Sequence, residues 1–265
     1  GIPPYRLPRE IIEREINSIE KMGVKIKLNT RVGKDISIKE IKEKHDAIYI
    51  AIGNYKEYAL GIENEGANGV ISGLQLLKET GQGKKVKVGK KIVVIGGGNS
   101  AIDTARTARR LGAEVTILYR RERKDMPAFE EEIDDALEEG IKLDVLVAPS
   151  EVLVKNGKVA GLKCTRMFLG SYDDSGRRRP VPIKDSEFDV DCDMIITAIG
   201  QSPDSAFLND FSREILAKNG TIKVDKWTRS TSVKGVFAGG DVAGSGQTVI
   251  QAIADGKETS GEIDK

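Results

Sequence analysis

KIVVIGGGNSAIDTARTARRLGAEVTILYRR, residues 91–121, is the stretch whose reading decides the fold. It opens on an apolar, β-branched run, Ile92-Val93-Val94-Ile95, which breaks at Gly96-Gly97-Gly98. A helical segment follows from Asn99 to Leu111, with Ala101, Ala105 and Ala108 along one side, and Gly112 stops it. A second β-branched run, Val115 to Leu118, comes next. Strand, glycine turn, helix and strand in this order make the opening unit of a dinucleotide-binding fold.

Each residue type has a mechanical reason. Gly96 permits the tight turn out of the strand, and Gly98 lets a pyrophosphate approach the backbone with no Cβ in the way. Ala101 takes the third small position, where helix and strand pack closely. The free N–H groups at the helix start, around Asn99 and Ser100, are predicted to face the phosphate, helped by the helix dipole. The end of the second strand selects the dinucleotide. NAD-preferring sites carry Asp or Glu about 20 residues on, to hold the ribose 2′-hydroxyl. Here the strand ends in Tyr119-Arg120-Arg121, with Arg120 24 positions after Gly96. No acid repels a 2′-phosphate there, and two guanidiniums can grip it with forked, charge-assisted hydrogen bonds. The expected ligand is NADP(H).

The 265 residues suffice for one large domain or two smaller ones with proper cores. Lys+Arg 42 against Asp+Glu 41 leaves almost no net charge, so a nucleic-acid or membrane-surface role has no electrostatic support. No apolar run approaches the length of a membrane span and no signal peptide opens the chain. Two cysteines, Cys164 and Cys192, fit a reducing compartment better than a disulfide scaffold, and the expected location is cytoplasmic. A start at Gly1 rather than Met points to a processed or truncated product.

Outward from the central stretch, GIPPYRLP is a proline-rich lead, and a helix is predicted from Arg9 with Ile12, Ile16 and Ile19 on one face and Gly23 as its stop. Val24 to Leu28 alternates like a strand, and Ala47 to Ile52 reads as a buried one ending at Gly53. Gly61 to Gly69 reads as a crossing between domains. Beyond Met126-Pro127-Ala128, a helix with Phe129, Ile133, Ala136 and Leu137 inward closes at Gly140. Strands follow at Lys142 to Val147 and Val159 to Met167, joined by a hairpin whose tip is Asn156-Gly157. Ser171 to Glu187 reads as a polar excursion with Arg177-Arg178-Arg179 at or near its tip. Met194 to Ile199 is another apolar strand, ending at Gly200. Asn219-Gly220 turns into Thr221 to Val224, Val236-Phe237-Ala238 leads into Gly239-Gly240-Asp241, and a last helix covers Thr248 to Ala254. IYIAIG at 48–53 and IITAIG at 195–200 repeat one design, a strand ending in a glycine where a ligand or another backbone could come close.

GIPPYRLP, IAIG, VVIGGGNSAID, YRRERKDMPA and AGGD together resemble the small (beta) subunit of glutamate synthase and its relatives, which include NADPH–ferredoxin oxidoreductase subunits. The resemblance covers essentially the whole chain. It implies two nested Rossmann-like dinucleotide domains carrying NADPH and FAD, with electrons passing from NADPH through flavin toward iron–sulfur clusters. On that likeness residues 69–201 are the NADPH domain, inserted into a partial FAD domain made of 1–68 and 202–265. Gly240 and Asp241 match the family's late flavin motif, the aspartate bonding the ribityl chain. The helix start at Gln247, Thr248 and Val249 would face the flavin ring's polar edge. Glu132 matches an acid near the nicotinamide side. The family's own FAD fingerprint and its cysteine-rich iron–sulfur region have no counterpart here, since Gly96 begins the one such fingerprint in the sequence. A partner subunit or further N-terminal region carrying iron–sulfur clusters is therefore expected, with FAD held weakly by this chain alone.

The expected fold class is α/β, with parallel sheets flanked by helices. The expected function is the NADPH-oxidising part of a flavin-dependent oxidoreductase. Gly96, Gly98, Asn99, Ser100 and Ala101 seat the pyrophosphate, Arg120 and Arg121 the 2′-phosphate, and Gly200 bounds the nicotinamide pocket. No catalytic acid–base residue or metal ligand is assigned, because hydride transfer between stacked rings needs alignment rather than a protein acid–base pair. A non-catalytic NADP(H)-binding module, or an interaction subunit of a split oxidoreductase, is the alternative. Cys164 and Cys192 read as core or surface thiols, His45 as a surface residue, and the Arg177–Arg179 run as a solvated loop or a dock for an acidic partner.

Overall fold

Ile92 and Val94 face one side of a strand while Val93 and Ile95 face the other, and all four are 5 % exposed or less. Burial on both faces is what a central parallel strand requires, and each such side chain contributes about 1.5–3 kcal/mol. The structure, a computed structural model, describes residues 1–173, 176–209, 211–244 and 248–265. Gln247, expected at the flavin edge, lies outside the described residues.

In chain order the elements begin with α1 (Arg9–Lys21), α2 (Ile38–Lys44), β1 (Ile48–Ile50), β2 (Lys56–Glu57), β3 (Val70–Ser72) and α3 (Gly73–Gly81). The central stretch supplies β4 (Lys91–Ile95), α4 (Asn99–Arg110) and β5 (Glu114–Tyr119), then α5 (Glu130–Glu138) and β6 (Lys142–Val145) follow. The remainder is β7 (Val147–Lys155), β8 (Lys158–Tyr172), β9 (Arg178–Val190), β10 (Met194–Thr197), β11 (Gln201–Ser202), β12 (Val236–Ala238) and α6 (Val249–Ile263). The chain divides into two compact units, Gly1–Asn17 with Glu57–Gly200, and Ser18–Lys56 with Gln201–Lys265.

The first unit is built on a five-stranded parallel sheet in the order β3-β10-β4-β5-β6. One face packs α3, α4 and α5 through Leu76, Ala101, Ile102, Ala105, Ala108, Ile133 and Ala136 against Ile92, Val94, Val115, Ile117 and Ile196. The alanines let α4 lie close to the sheet. Among the described residues the other face carries no helix. Instead Val147, Val152, Val159, Leu162 and Cys164 from the antiparallel sheet β7-β8-β9 cover Val93, Ile95, Leu118 and Ile195. The expected α/β fold with a parallel sheet flanked by helices is thus present, its second face covered by an antiparallel sheet.

Asn156 and Gly157, both at positive φ, make the tight turn between β7 and β8. Within the stretch read as a polar excursion, 171–172 end β8 and 178–187 belong to β9, which pairs antiparallel with β8. Residues 61–69 lie inside the first unit, where Glu63 bridges to Glu151 and Asn68 to Lys158.

The second unit centres on the parallel pair β1–β12, with Ile48, Ile50, Val236 and Ala238 packed against Ile38, Leu208, Ile215 and Ile222. A capping box fastens α2, with Ser37 Oγ accepting the Glu40 N–H and Glu40 accepting the Ser37 N–H. His45 follows α2 on the surface, its Nδ1 2.9 Å from the Ile41 carbonyl oxygen. Residues 24–28 do not form a strand despite their alternation, because among the described residues no neighbour offers a ladder of hydrogen bonds. Residues 221–224 likewise keep a single bridge, Leu216 to Ile222. The last helix runs nine residues past Ala254, to Ile263.

Candidate functional site

The site starts where β4 ends. Gly96 has φ +149°, and a Cβ there would run into the carbonyl oxygen of Ala198, which continues β10. Gly97 is pressed by the Tyr119 ring, 2.5 Å from where its Cβ would stand. Gly98 is different: its neighbour is Pro127, 3.8 Å away, so the space above it is open. Gly98 is also the N-cap of α4 and offers no side chain, leaving the Asn99 and Ser100 N–H groups without an acceptor among the described residues. Two amides, a twelve-residue helix dipole and an open glycine make a cradle for a phosphate.

The 126–128 loop is tied to this turn. The Ala128 N–H donates to the Gly97 carbonyl at 3.1 Å, and the Phe129 N–H donates to Asn99 Oδ1 at 3.0 Å. Asn99 therefore fixes the start of α5 with its side chain while presenting its amide to the cradle. Ala101 is fully buried behind the turn.

Arg120 and Arg121 both leave the tip of β5, with different fates. Arg120 is exposed and has no ion partner among the described residues. Arg121 is 4 % exposed, its Nη2 2.8 Å from Asp173 and its Nε donating to the Arg178 carbonyl at 2.8 Å. Gly200 lies two residues beyond Ala198 at φ +123°, beside the Tyr58 ring. The structure thus gathers Gly96, Gly98, Asn99, Ser100, Ala101, Arg120, Arg121 and Gly200 at the carboxyl ends of β4, β5 and β10, where open α/β sheets bind ligands.

In the second unit, Asp241 follows Gly240 in a short turn after β12. Its carboxyl is half-buried, without a hydrogen-bond partner among the described residues, and burial holds it above the usual carboxylate range. The Gly240 N–H donates to the fully buried Asp255 at 2.7 Å, and Asp255 in turn pairs with Arg229 at 2.8 Å. Thr248 caps α6 by accepting the Gln251 N–H, and Val249 begins the helix, exposed.

Sequence reading missed the charged knot behind α4. Arg106, nearly buried, meets Glu132 at 2.5 Å, Glu139 at 2.8 Å and Asp135 at 3.0 Å. Arg6 joins Asp103 and Glu132, each at 2.9 Å, and Tyr5 lies under the Arg106 and Arg110 guanidiniums. Burial pushes Tyr5 up to about 12 and raises Asp103 despite its arginine partner. Glu132 thus fastens the N-terminal lead to α4 and α5. The partners of Arg106 lie 26 to 33 positions away, too distant in sequence to infer.

A family model described as pyridine nucleotide-disulphide oxidoreductase matches residues 34–256. The chain belongs to that family. The beta subunit of the NADP(+)-dependent formate dehydrogenase of Moorella thermoacetica is 45 % identical over 100 % of this chain and 38 % of that protein. The glutamate synthase (NADPH) small chain of Escherichia coli (strain K12) is 34 % identical over 99 % of this chain and 59 % of that protein. The resemblance to glutamate synthase small subunits therefore holds, and the chain spans less than two thirds of these relatives. Mycobacterium tuberculosis FprA in complex with NADPH aligns with a TM-score of 0.76 at 17 % identity, over 100 % of this chain and 73 % of that one, a likeness of fold.

Pyridine nucleotide-disulphide oxidoreductases are named for disulfide chemistry, yet both cysteines of this member are buried free thiols. Burial pushes Cys164 and Cys192 up to about 12. A thiol raised in the folded state favours unfolding once pH exceeds its ordinary value near 8.5, so stability declines from there toward 12. Neither thiol is expected to react with a thiol reagent at neutral pH until the chain is denatured, when both should. Rapid labelling of the folded chain would contradict this.

Proposed function

We propose that this chain is the NADPH-oxidising part of a flavin-dependent oxidoreductase, passing reducing equivalents through FAD toward iron–sulfur clusters on a partner subunit or a further region of a longer protein. One observation carries the reading: among the described residues the Asn99 and Ser100 amides at the start of α4 have no acceptor, and the exposed Arg120 at the tip of β5 has no ion partner. The amides and Gly98 would seat the pyrophosphate, with Gly96 and Ala101 shaping the turn, and Arg120 would take the 2′-phosphate with Arg121 next to it. Gly200 would bound the nicotinamide pocket. On this reading residues 69–201 form the NADPH domain, and 1–68 with 202–265 the partial flavin domain.

The flavin side fits less completely. Among the described residues Asp241 has no hydrogen-bond donor, which a ribityl hydroxyl would supply, and Gly240, Thr248 and Val249 would line the same ligand. A parallel sheet of two strands, however, is too small to stand alone. α1 is amphipathic yet has no buried residue, with Ile11, Ile16 and Ile19 exposed, and Val24 and Leu28 beyond it are bare as well. These surfaces suit a second dinucleotide-binding unit supplying further strands, and the relatives' greater length leaves room for one. The purified chain is expected to carry FAD at far below one equivalent. Stoichiometric flavin absorbance would contradict that.

When bound, the two cofactors supply the chemistry, hydride passing from nicotinamide to flavin. The chain's own residues bind and orient. Two free thiols support a reducing, cytoplasmic setting. Following NADPH consumption with an artificial electron acceptor, with and without added FAD, tests the reading. Oxidation that depends on FAD supports it, and NADPH binding without turnover in excess FAD would leave a binding module instead.

Arg120→Ala is expected to remove a charge-assisted contact of about 1.5–3 kcal/mol, weakening NADP+ by roughly ten- to hundredfold. NAD+ affinity should stay within about twofold, because it lacks the contacted group. Paired titrations of the variant check this.

A further inference from the structure

The second guanidinium at the tip of β5 is already engaged. Arg121's side chain is 5 % exposed, with Nη2 2.8 Å from Asp173 Oδ2, and its Nε donates to the Arg178 carbonyl at 2.8 Å. Asp173 follows β8, and its other oxygen, Oδ1, accepts the Arg177 N–H at 3.2 Å. A carboxylate this close to a nearly buried cation neutralises it where solvent screens little. Arg120, the adjoining residue, is exposed and has no ion partner among the described residues.

We infer that Asp173 is a specificity-determining residue for the nucleotide: it withholds Arg121 from the 2′-phosphate and sets its own negative charge against that group. The protein's preference for NADP(H) over NAD(H) is therefore held below what two free arginines would give. The inference rests on the reading of the β5 tip as the 2′-phosphate site. A purely fastening role for Asp173, holding the β8–β9 hairpin to β5, has a different consequence. Loosening the hairpin would leave the preference unchanged or weaken both nucleotides, whereas removing the opposing charge strengthens NADP+ alone.

Asp173→Asn separates the two, because its one amide oxygen can still accept from Arg121 while the charge is gone. In equilibrium titrations of the intact chain at low salt, Asp173→Asn is expected to bind NADP+ about three- to tenfold more tightly, with NAD+ within about twofold. The gain should shrink as salt is added. Asp173→Ser, which also removes the charge, should shift the ratio in the same direction. An unchanged or lowered NADP+/NAD+ preference in Asp173→Asn, with the chain still folded by its melting curve, overturns the inference. Arg120→Ala in the same experiment distinguishes the levels of failure. If it leaves the preference untouched, the reading of the site falls. If it lowers the preference while Asp173→Asn fails to raise it, the assignment of Asp173 alone falls.

Discussion

Gly96→Ala is expected to abolish nucleotide binding and to destabilise the first unit by several kcal/mol. The residue sits at φ +149°, and its Cβ would meet the carbonyl oxygen of Ala198 and lie 3.1 Å from the Ala101 Cβ. Neither neighbour can step aside. The Ala198 N–H donates to the Ile95 carbonyl at 2.8 Å, so moving it parts β4 from β10 at the site itself. Backbone strain of about 1–3 kcal/mol and overpacking of about 1–3 kcal/mol add, against a total stability of about 5–15 kcal/mol. Urea unfolding measures the loss, and a midpoint unchanged from the parent would contradict it. Gly98→Ala is the informative contrast. Its φ is −92° and its surroundings are open, so the chain should fold normally, yet the new methyl stands where a pyrophosphate must come close. Both NADP+ and NAD+ should then bind at least roughly tenfold more weakly. Undiminished binding by Gly98→Ala would place the diphosphate elsewhere.

Arg106→Met is the second large effect, with an expected cost of about 3–5 kcal/mol. The variant leaves Glu132, Asp135 and Glu139 clustered around a vanished cation, and it removes one guanidinium from the Tyr5 ring. At roughly 2–4 °C per kcal/mol for a unit of this size, melting should fall by about 10 °C. The pH dependence gives a sharper check. Burial pushes Glu139 up, but hydrogen bonds from Arg110 and Arg106 outweigh it and hold the carboxyl below its ordinary value. A carboxyl lowered in the folded state contributes stability above its unfolded value near 4.3, and that contribution is lost as pH falls through the folded value. With Arg106 gone the neighbouring carboxylates repel, their values rise, and mild acid should recover part of the lost stability. A parent and variant with parallel pH–stability curves would contradict this.

How much of this was legible in the sequence depended on how local the cause was. Ile92 to Ile95, the glycine turn, the alanine side of α4 and Gly112 share one short stretch, and the structure follows it residue by residue. Val24 to Leu28 alternates as convincingly, yet alternation describes a face and not the partner strand that a ladder needs. The reverse error fell on β9, where Arg178, Arg179 and Lys184 made an exposed edge strand look like a loop. At the site, Arg120 and Arg121 are equivalent on paper. Only Arg121 is buried, and the acid that claims it comes 52 positions later. Nothing near YRR in the sequence announces Asp173.

The central claim is that the α4 amides and Arg120 together choose a phosphorylated dinucleotide. Calorimetric titration of the chain, first with NADP+ and then with NAD+, tests it most directly. NADP+ bound at least roughly tenfold more tightly is the predicted result. Equal affinities, or no binding of either nucleotide, would contradict it.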